Sequence, residues 1–246
     1  MNSIAPDNDG SLQAETANGG ATWKFALLGA LASPTAPRVL TAASFHALAQ
    51  TIRPQVNRAT SRELVGHFLR AGVLRRVTSG TFLNRRALPP AELYEAAPII
   101  RKGAVLSLHS VLGEAGVLNN PSRIITCILP TSKTLLPRLG ELKTEAGTFQ
   151  FYGLTERFFP KTPEDAREML QPGRPCAVFR PEVALLQWLH LASLKRSSLS
   201  DLPLDLDLDL LDLELVVRLG ERLRVLPLWQ AWYENAKAAN FGAEQG

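Results

Sequence analysis

Between Arg38 and Arg86 the chain carries nine arginines and a single acidic residue, Glu63. Within the same stretch apolar residues recur first at helical spacing and then in a short ribbon pattern. A polyanion-binding protein needs cations fixed on one face, because counterion release drives its binding to any duplex. The order helix, helix, helix and two-stranded ribbon is that of a winged helix-turn-helix. Together, charge and order predict a DNA-binding module.

The elements follow from local signals. A first helix is expected from about Thr22 to Ala32, with Thr22 as its N-cap and Ser33-Pro34 as its stop. Thr41 is placed to cap a second helix, whose stripe is Phe45, Leu48, Ala49 and Ile52 and which Pro54 ends. A third helix is expected from about Thr60 to Ala71. Leu64, Val65, Phe68 and Leu69 form its inward face, leaving Arg62, Glu63, Gly66, His67 and Arg70 outward. Gly72 closes it, since a left-handed turn is cheapest without a Cβ. Val73–Val77, Thr78-Ser79-Gly80 and Thr81–Leu83 read as strand, turn and strand. In this arrangement the third helix enters the major groove. Arg58, Thr60, Ser61, Arg62 and His67 are then the expected base or phosphate contacts, and Arg75, Arg76, Arg85 and Arg86 flank the wing. Arginine suits both tasks through bidentate pairing with guanine edges or phosphate oxygens.

The 246-residue chain is long enough for two small domains. Residues 1–20 have little to bury and are expected to form a disordered tail. The winged helix is expected over 22–88 and a second domain over 98–240. Leu88-Pro89-Pro90 marks the boundary, followed by a helix from about Ala91 to Lys102. The second half reads as mixed: a helix at Leu106–Glu114, strands at Arg123–Leu129, Thr148–Gly153 and Cys176–Phe179, and a helix from Pro181 to about Leu194. From Asp205 to Leu213 acids and leucines alternate. The longer pattern favours helix from about Leu208 over strand, and a last helix is expected over Pro227–Ala239. The fold class is therefore α+β, a winged helix followed by a mixed α/β domain ending in helices. Charge is divided in the same way, since residues 201–246 hold nine acids and four bases.

Other chemistries lack their signatures. The apolar stretch from Lys24 to Ala32 has no basic residue before Lys24, so it predicts a helix rather than an export signal. No apolar run approaches the roughly 20 residues of a membrane span, and a cytoplasmic protein without membrane partners is expected. Cys127 and Cys176 show no metal or redox spacing. The acids Asp201, Asp205, Asp207, Asp209 and Asp212 lack the glycine and glutamate of a calcium loop. His46, His67, His109 and His190 are scattered, and no HExxH, GxSxG or phosphate-loop motif occurs. Neither a catalytic residue, a metal nor a cofactor is expected.

One resemblance extends this reading. Ser107-Leu108-His109-Ser110-Val111-Leu112-Gly113-Glu114-Ala115-Gly116-Val117-Leu118 resembles the "S-x-x-S-A-L-x-x-x-G-L" stretch of AbiEi-type antitoxins, from type IV toxin–antitoxin (abortive infection) systems. Gly80-Thr81-Phe82-Leu83-Asn84 is similar to that family's "G-x-Y-x-N", and Pro181-Glu182-Val183-Ala184-Leu185-Leu186-Gln187 to its "P-E-x-A-L-L-D". Val111 and Gln187 depart from the usual alanine and aspartate. The resemblance implies an autorepressor that binds double-stranded DNA repeats in its own promoter. It also implies a second domain that counteracts a nucleotidyltransferase toxin without a tight complex. Ser107, Ser110, Gly113, Pro181 and Glu182 carry that second motif set. A stand-alone winged-helix regulator, or a protein-docking module, is the alternative.

Overall fold

The computed structural model describes residues 22–120, 122–132, 134–195 and 197–243, so the tail expected over 1–20 lies outside the described residues. The chain divides into two compact units, Met1–Glu92 and Leu93–Gly246. The architecture is α+β, and each unit has its own sheet.

The first unit is a winged helix. Residues 22–31 form helix α1. They are followed by β1 (Val39–Thr41), α2 (Ala42–Ile52), α3 (Arg58–Arg70), β2 (Leu74–Thr78) and β3 (Thr81–Asn84). Thr22 is itself helical and therefore is not the N-cap. Thr41 is one: its Oγ1 accepts from the Ser44 amide at 3.0 Å, and Ser44 Oγ accepts from the Thr41 amide at 2.8 Å. Helix α3 starts earlier than expected because Asn57 caps it, its Oδ1 accepting from the Thr60 amide at 2.9 Å. At its other end Gly72 sits at φ 69°. There the Val73 amide returns to the Phe68 carbonyl and the Gly72 amide to Leu69, a Schellman closure.

Phe45 of α2 and Phe68 of α3 meet edge to face with centroids 6.0 Å apart. Leu27, Leu31, Leu40 and Phe82 complete that core. The sheet has the order β1-β3-β2, so the wing is three-stranded. Strand β1 is too short for a periodic pattern to announce it.

The second unit holds a four-stranded sheet of β4 (Val105–Leu106), β5 (Ile125–Thr131), β6 (Gly140–Thr144) and β7 (Gly147–Thr155), in the order β4-β5-β7-β6. Strands β5 and β7 are parallel, and the outer pairs are antiparallel. Its helices are α4 (Ala97–Ile100), α5 (His109–Glu114), α6 (Pro163–Met169), α7 (Pro181–Ala192), α8 (Leu213–Leu223) and α9 (Leu226–Ala243). Pro181 opens α7, where its missing N–H costs nothing. Helix α7 is buried on most sides and packs against α5, α8 and α9.

Several expectations for this unit are corrected. The helix expected over 91–102 is a 3-10 turn, Leu93–Ala96, that runs into the single turn of α4. The helix expected at Leu106–Glu114 is split, because Leu106 pairs with Cys127 in the sheet and Leu108 turns the chain at φ 55°. The strand expected at Cys176–Phe179 reduces to two isolated bridges, at Val178 and Phe179. The Asp/Leu tract is neither strand nor α-helix. It runs extended with one 3-10 turn at Leu208–Leu210, burying Leu202, Leu206 and Leu211. Bonds from the Asp207 amide to the Val117 carbonyl and from Asn119 Nδ2 to the Asp205 carbonyl hold it. Helix α8 begins only after Asp212, which caps it. No helix of the described residues is long and apolar enough to cross a membrane.

Candidate nucleic-acid interface

Helix α3 separates its expected contact residues into two strips. Arg58, Arg62, Gly66 and Arg70 follow at four-residue spacing, so each step advances about 40° around the exposed side. Beside them, Thr60, Glu63 and His67 line a shallow depression of about 190 Å³ with Trp23, Lys24 and Leu64. The arginine strip is exposed, His67 is exposed, and Thr60 is half-buried. Ser61 is different. Only 4% of it is accessible, and its hydroxyl lies 2.8 Å from His46 Nδ1. It ties α3 to α2, so the expectation that it contacts DNA is corrected.

On the wing, Arg75 is exposed and Arg76 half-buried along β2, with an irregularity in pairing before Thr78. Arg85 and Arg86 follow β3 and are exposed. Among the described residues the guanidiniums of Arg58, Arg62, Arg70, Arg85 and Arg86 make no ion pair with a carboxylate. Such unneutralised cations on one helix and its adjoining wing can bind phosphates without first breaking internal pairs.

Arg38 and Arg53 have internal tasks. Arg38 donates from Nη1 to the Pro89 carbonyl at 2.7 Å and from Nη2 to the Pro90 carbonyl at 3.1 Å. Arg53 stacks over the Trp23 ring, 5.5 Å from its centroid. Neither was separable from the others by sequence, because their partners lie far along the chain.

Asn84 holds the wing in place. It is fully buried, and its Nδ2 donates to the carbonyls of Leu31 at 2.8 Å and Pro37 at 3.1 Å. Its Oδ1 accepts from the Arg86 amide at 3.0 Å. One side chain thus joins the end of α1, the approach to β1 and the exit of β3. This explains in physical terms the asparagine that closes Gly80-Thr81-Phe82-Leu83-Asn84.

In the second unit Ser107 and Ser110 belong to an internal hydrogen-bond network. Ser107 is fully buried and its hydroxyl donates to Gln187 Oε1. Gln187 Nε2 donates onward to the Phe158 carbonyl at 3.3 Å. Thr126 Oγ1 donates to the Ser107 carbonyl at 2.6 Å, and the amides of Thr126 and Ser110 exchange bonds with each other's hydroxyls. Gly113 lies inside α5 and Pro181 at the start of α7. Glu182, only 6% accessible, accepts from the Asp212 amide at 3.1 Å and so joins the starts of α7 and α8.

His109 stacks on Trp188 with centroids 3.8 Å apart, and burial pushes its pKa down. Burial also pushes the Cys127 thiol up, and raises Cys176 to about 11. Among the described residues no three His, Cys, Asp or Glu side chains come together as a metal site.

Comparison with solved structures finds a similarity to the RV2827C protein from Mycobacterium tuberculosis. The identity is 16% and the TM-score 0.45, with 84% of this chain and 77% of that chain covered. No protein family's sequence profile matches the chain, and no curated protein does.

Two residues gain importance that sequence reasoning had not given them. Lys24 read only as the start of an apolar segment, yet it borders the same depression as Thr60 and His67. Glu63 read as one outward residue among several. It stands on the exposed face of α3, and its carboxylate has no ion-pair or hydrogen-bond partner among the described residues.

Proposed function

We propose that the protein is a cytoplasmic duplex-DNA-binding repressor of its own promoter, and that it serves as the antitoxin counterpart of a nucleotidyltransferase toxin. In this reading it is not an enzyme and uses no cofactor. The observation that carries the DNA-binding half is the set of exposed, carboxylate-free guanidiniums on α3 and beside the wing, Arg58, Arg62, Arg70, Arg85 and Arg86. The antitoxin half rests on the resemblance of three short motifs to AbiEi-type antitoxins.

A mobility-shift titration against the protein's own upstream region tests the first half. Salt-sensitive binding is expected. Arg62→Ala should cost about 1–3 kcal/mol if Arg62 pairs with a base, and only on the preferred sequence. Arg75→Ala and Arg76→Ala should weaken all duplexes alike. Absence of salt-sensitive binding removes the reading. Co-expression with a nucleotidyltransferase encoded beside it tests the second half, with growth rescue expected and no complex stable to gel filtration.

One observation favours the alternative of a stand-alone regulator. Ser107, Ser110 and Gln187 are committed to bonds inside the second unit, which leaves their motif a packing explanation.

A further inference from the structure

We propose that Glu63 is the sequence-discriminating residue of the interface, accepting a hydrogen bond from the exocyclic amino group of a cytosine in the major groove. This inference rests on the DNA-binding reading and deepens it.

Electrostatics singles out Glu63. Glu63 is the single acid among nine arginines between Arg38 and Arg86. A carboxylate there opposes every phosphate that the neighbouring arginines attract, so it lowers affinity for duplex in general. In an arginine-rich surface an acid is ordinarily expected to be neutralised by a neighbour. Glu63 is not, since its carboxylate makes no ion pair or hydrogen bond among the described residues although Lys24 lines the same depression.

Its place on the helix agrees. Glu63 is the sixth residue of α3, within the first two turns from the N-terminus. Those turns of a recognition helix reach base edges in the groove. By helix geometry Glu63 lies between the arginine strip and His67 on the exposed side. It is therefore at the middle of the face, whereas Arg58 and Thr60 lie towards its two flanks. Phosphates border a groove and bases form its floor, so flanking cations meet phosphates and a central acceptor meets bases.

The carboxylate also matches one base. A carboxylate only accepts, and the major-groove edge of cytosine offers the N4 amino donor without an adjacent acceptor. Guanine presents two acceptors there and would repel it. The acid is thus useful for rejection as well as recognition, at the expense of non-specific affinity.

The experiment uses the full-length protein with a duplex pool whose central positions are randomised, comparing wild type with Glu63→Gln and Glu63→Ala. Both replacements suit an exposed helix position, and thermal melts verify that they fold. Wild type is expected to favour a C·G pair at one position by about 5- to 100-fold. Glu63→Gln should move that preference to A·T, because an amide pairs with both adenine groups. Glu63→Ala should lose it, while random duplex binds both variants more tightly than wild type. An unchanged base preference in both variants overturns the role of Glu63 and leaves the DNA-binding reading standing. Failure of the wild type to bind any duplex overturns both.

Discussion

Asn84 carries more of the first unit than its size suggests, because each of its polar atoms satisfies a backbone group of a different segment. Asn84→Ala would leave the Leu31 and Pro37 carbonyls without that donor in a buried site. The expected loss is about 2–4 kcal/mol, seen as a lower denaturant midpoint at unchanged slope. Asn84→Asp should cost at least as much, since a carboxylate cannot donate to either carbonyl. A variant as stable as wild type would show that the wing does not depend on this side chain. His109 makes a different kind of contribution, visible in pH. Burial against Trp188 holds its folded pKa below the ordinary 6.5. The neutral form is thus the one that fits, and the associated stability is complete above the unfolded pKa. It is lost as pH falls from about 6.5 through the folded value. His190, held low by burial and then by Arg157, acts in the same direction. The melting temperature of the second unit should therefore fall between pH 7 and pH 5. His109→Phe, which keeps a ring on Trp188, should flatten that slope, and an identical slope in the variant would discard the assignment.

Helices α6 and α8 are clasped by charge. Glu168 accepts from Arg218 Nε at 2.9 Å and from Arg222 Nη1 at 2.6 Å, while Asp165 accepts from the same Arg222 nitrogen at 3.2 Å. The Arg218 hydrogen bond is the main cause holding the Glu168 carboxyl below its usual range, and the Lys161 amide does the same for Asp165. Their contribution is present above the ordinary carboxylate range and lost as pH falls through the lowered folded values. Arg218 is 61% exposed, so solvent screens the pair and Glu168→Gln should cost less than about 1 kcal/mol. That difference should shrink in high salt, and a salt-independent loss would point to packing instead. Helix α6 is not legible in the sequence as a period. Seven residues are too few for a hydrophobic period, although Thr162-Pro163-Glu164-Asp165 contains its capping box. Helices α2 and α3 are legible because their stripes run for eleven residues or more, and α7 because Pro181 opens a long apolar run. The same periodicity contained the correction to Ser61. It precedes Leu64, Val65 and Phe68 by three, four and seven positions, which places it on the inward face. By contrast, the bonds of Arg38 and Asn84 join residues about fifty positions apart, and no local pattern announces them.

Charge is divided between the two units. Residues 1–92 hold ten basic and five acidic residues, and residues 93–246 hold 17 and 18. The excess that makes the chain basic thus belongs to the winged-helix unit, while the other unit is close to neutral. A polyanion is attracted to local excess rather than to the total, so binding should report the first unit alone. The test is the slope of log affinity against log salt for the full chain on duplex DNA. Five arginines with no carboxylate pair, with the two wing residues of β2 added, give an expected slope between about −4 and −7. Replacing Arg85 and Arg86 together by alanine should make it shallower by about two. Replacing the exposed Arg123 and Arg138 of the second unit should leave it unchanged. If those two substitutions flatten the slope as much as the first pair, the footprint extends over both units. Local charge excess would then no longer explain which part of the chain meets the duplex.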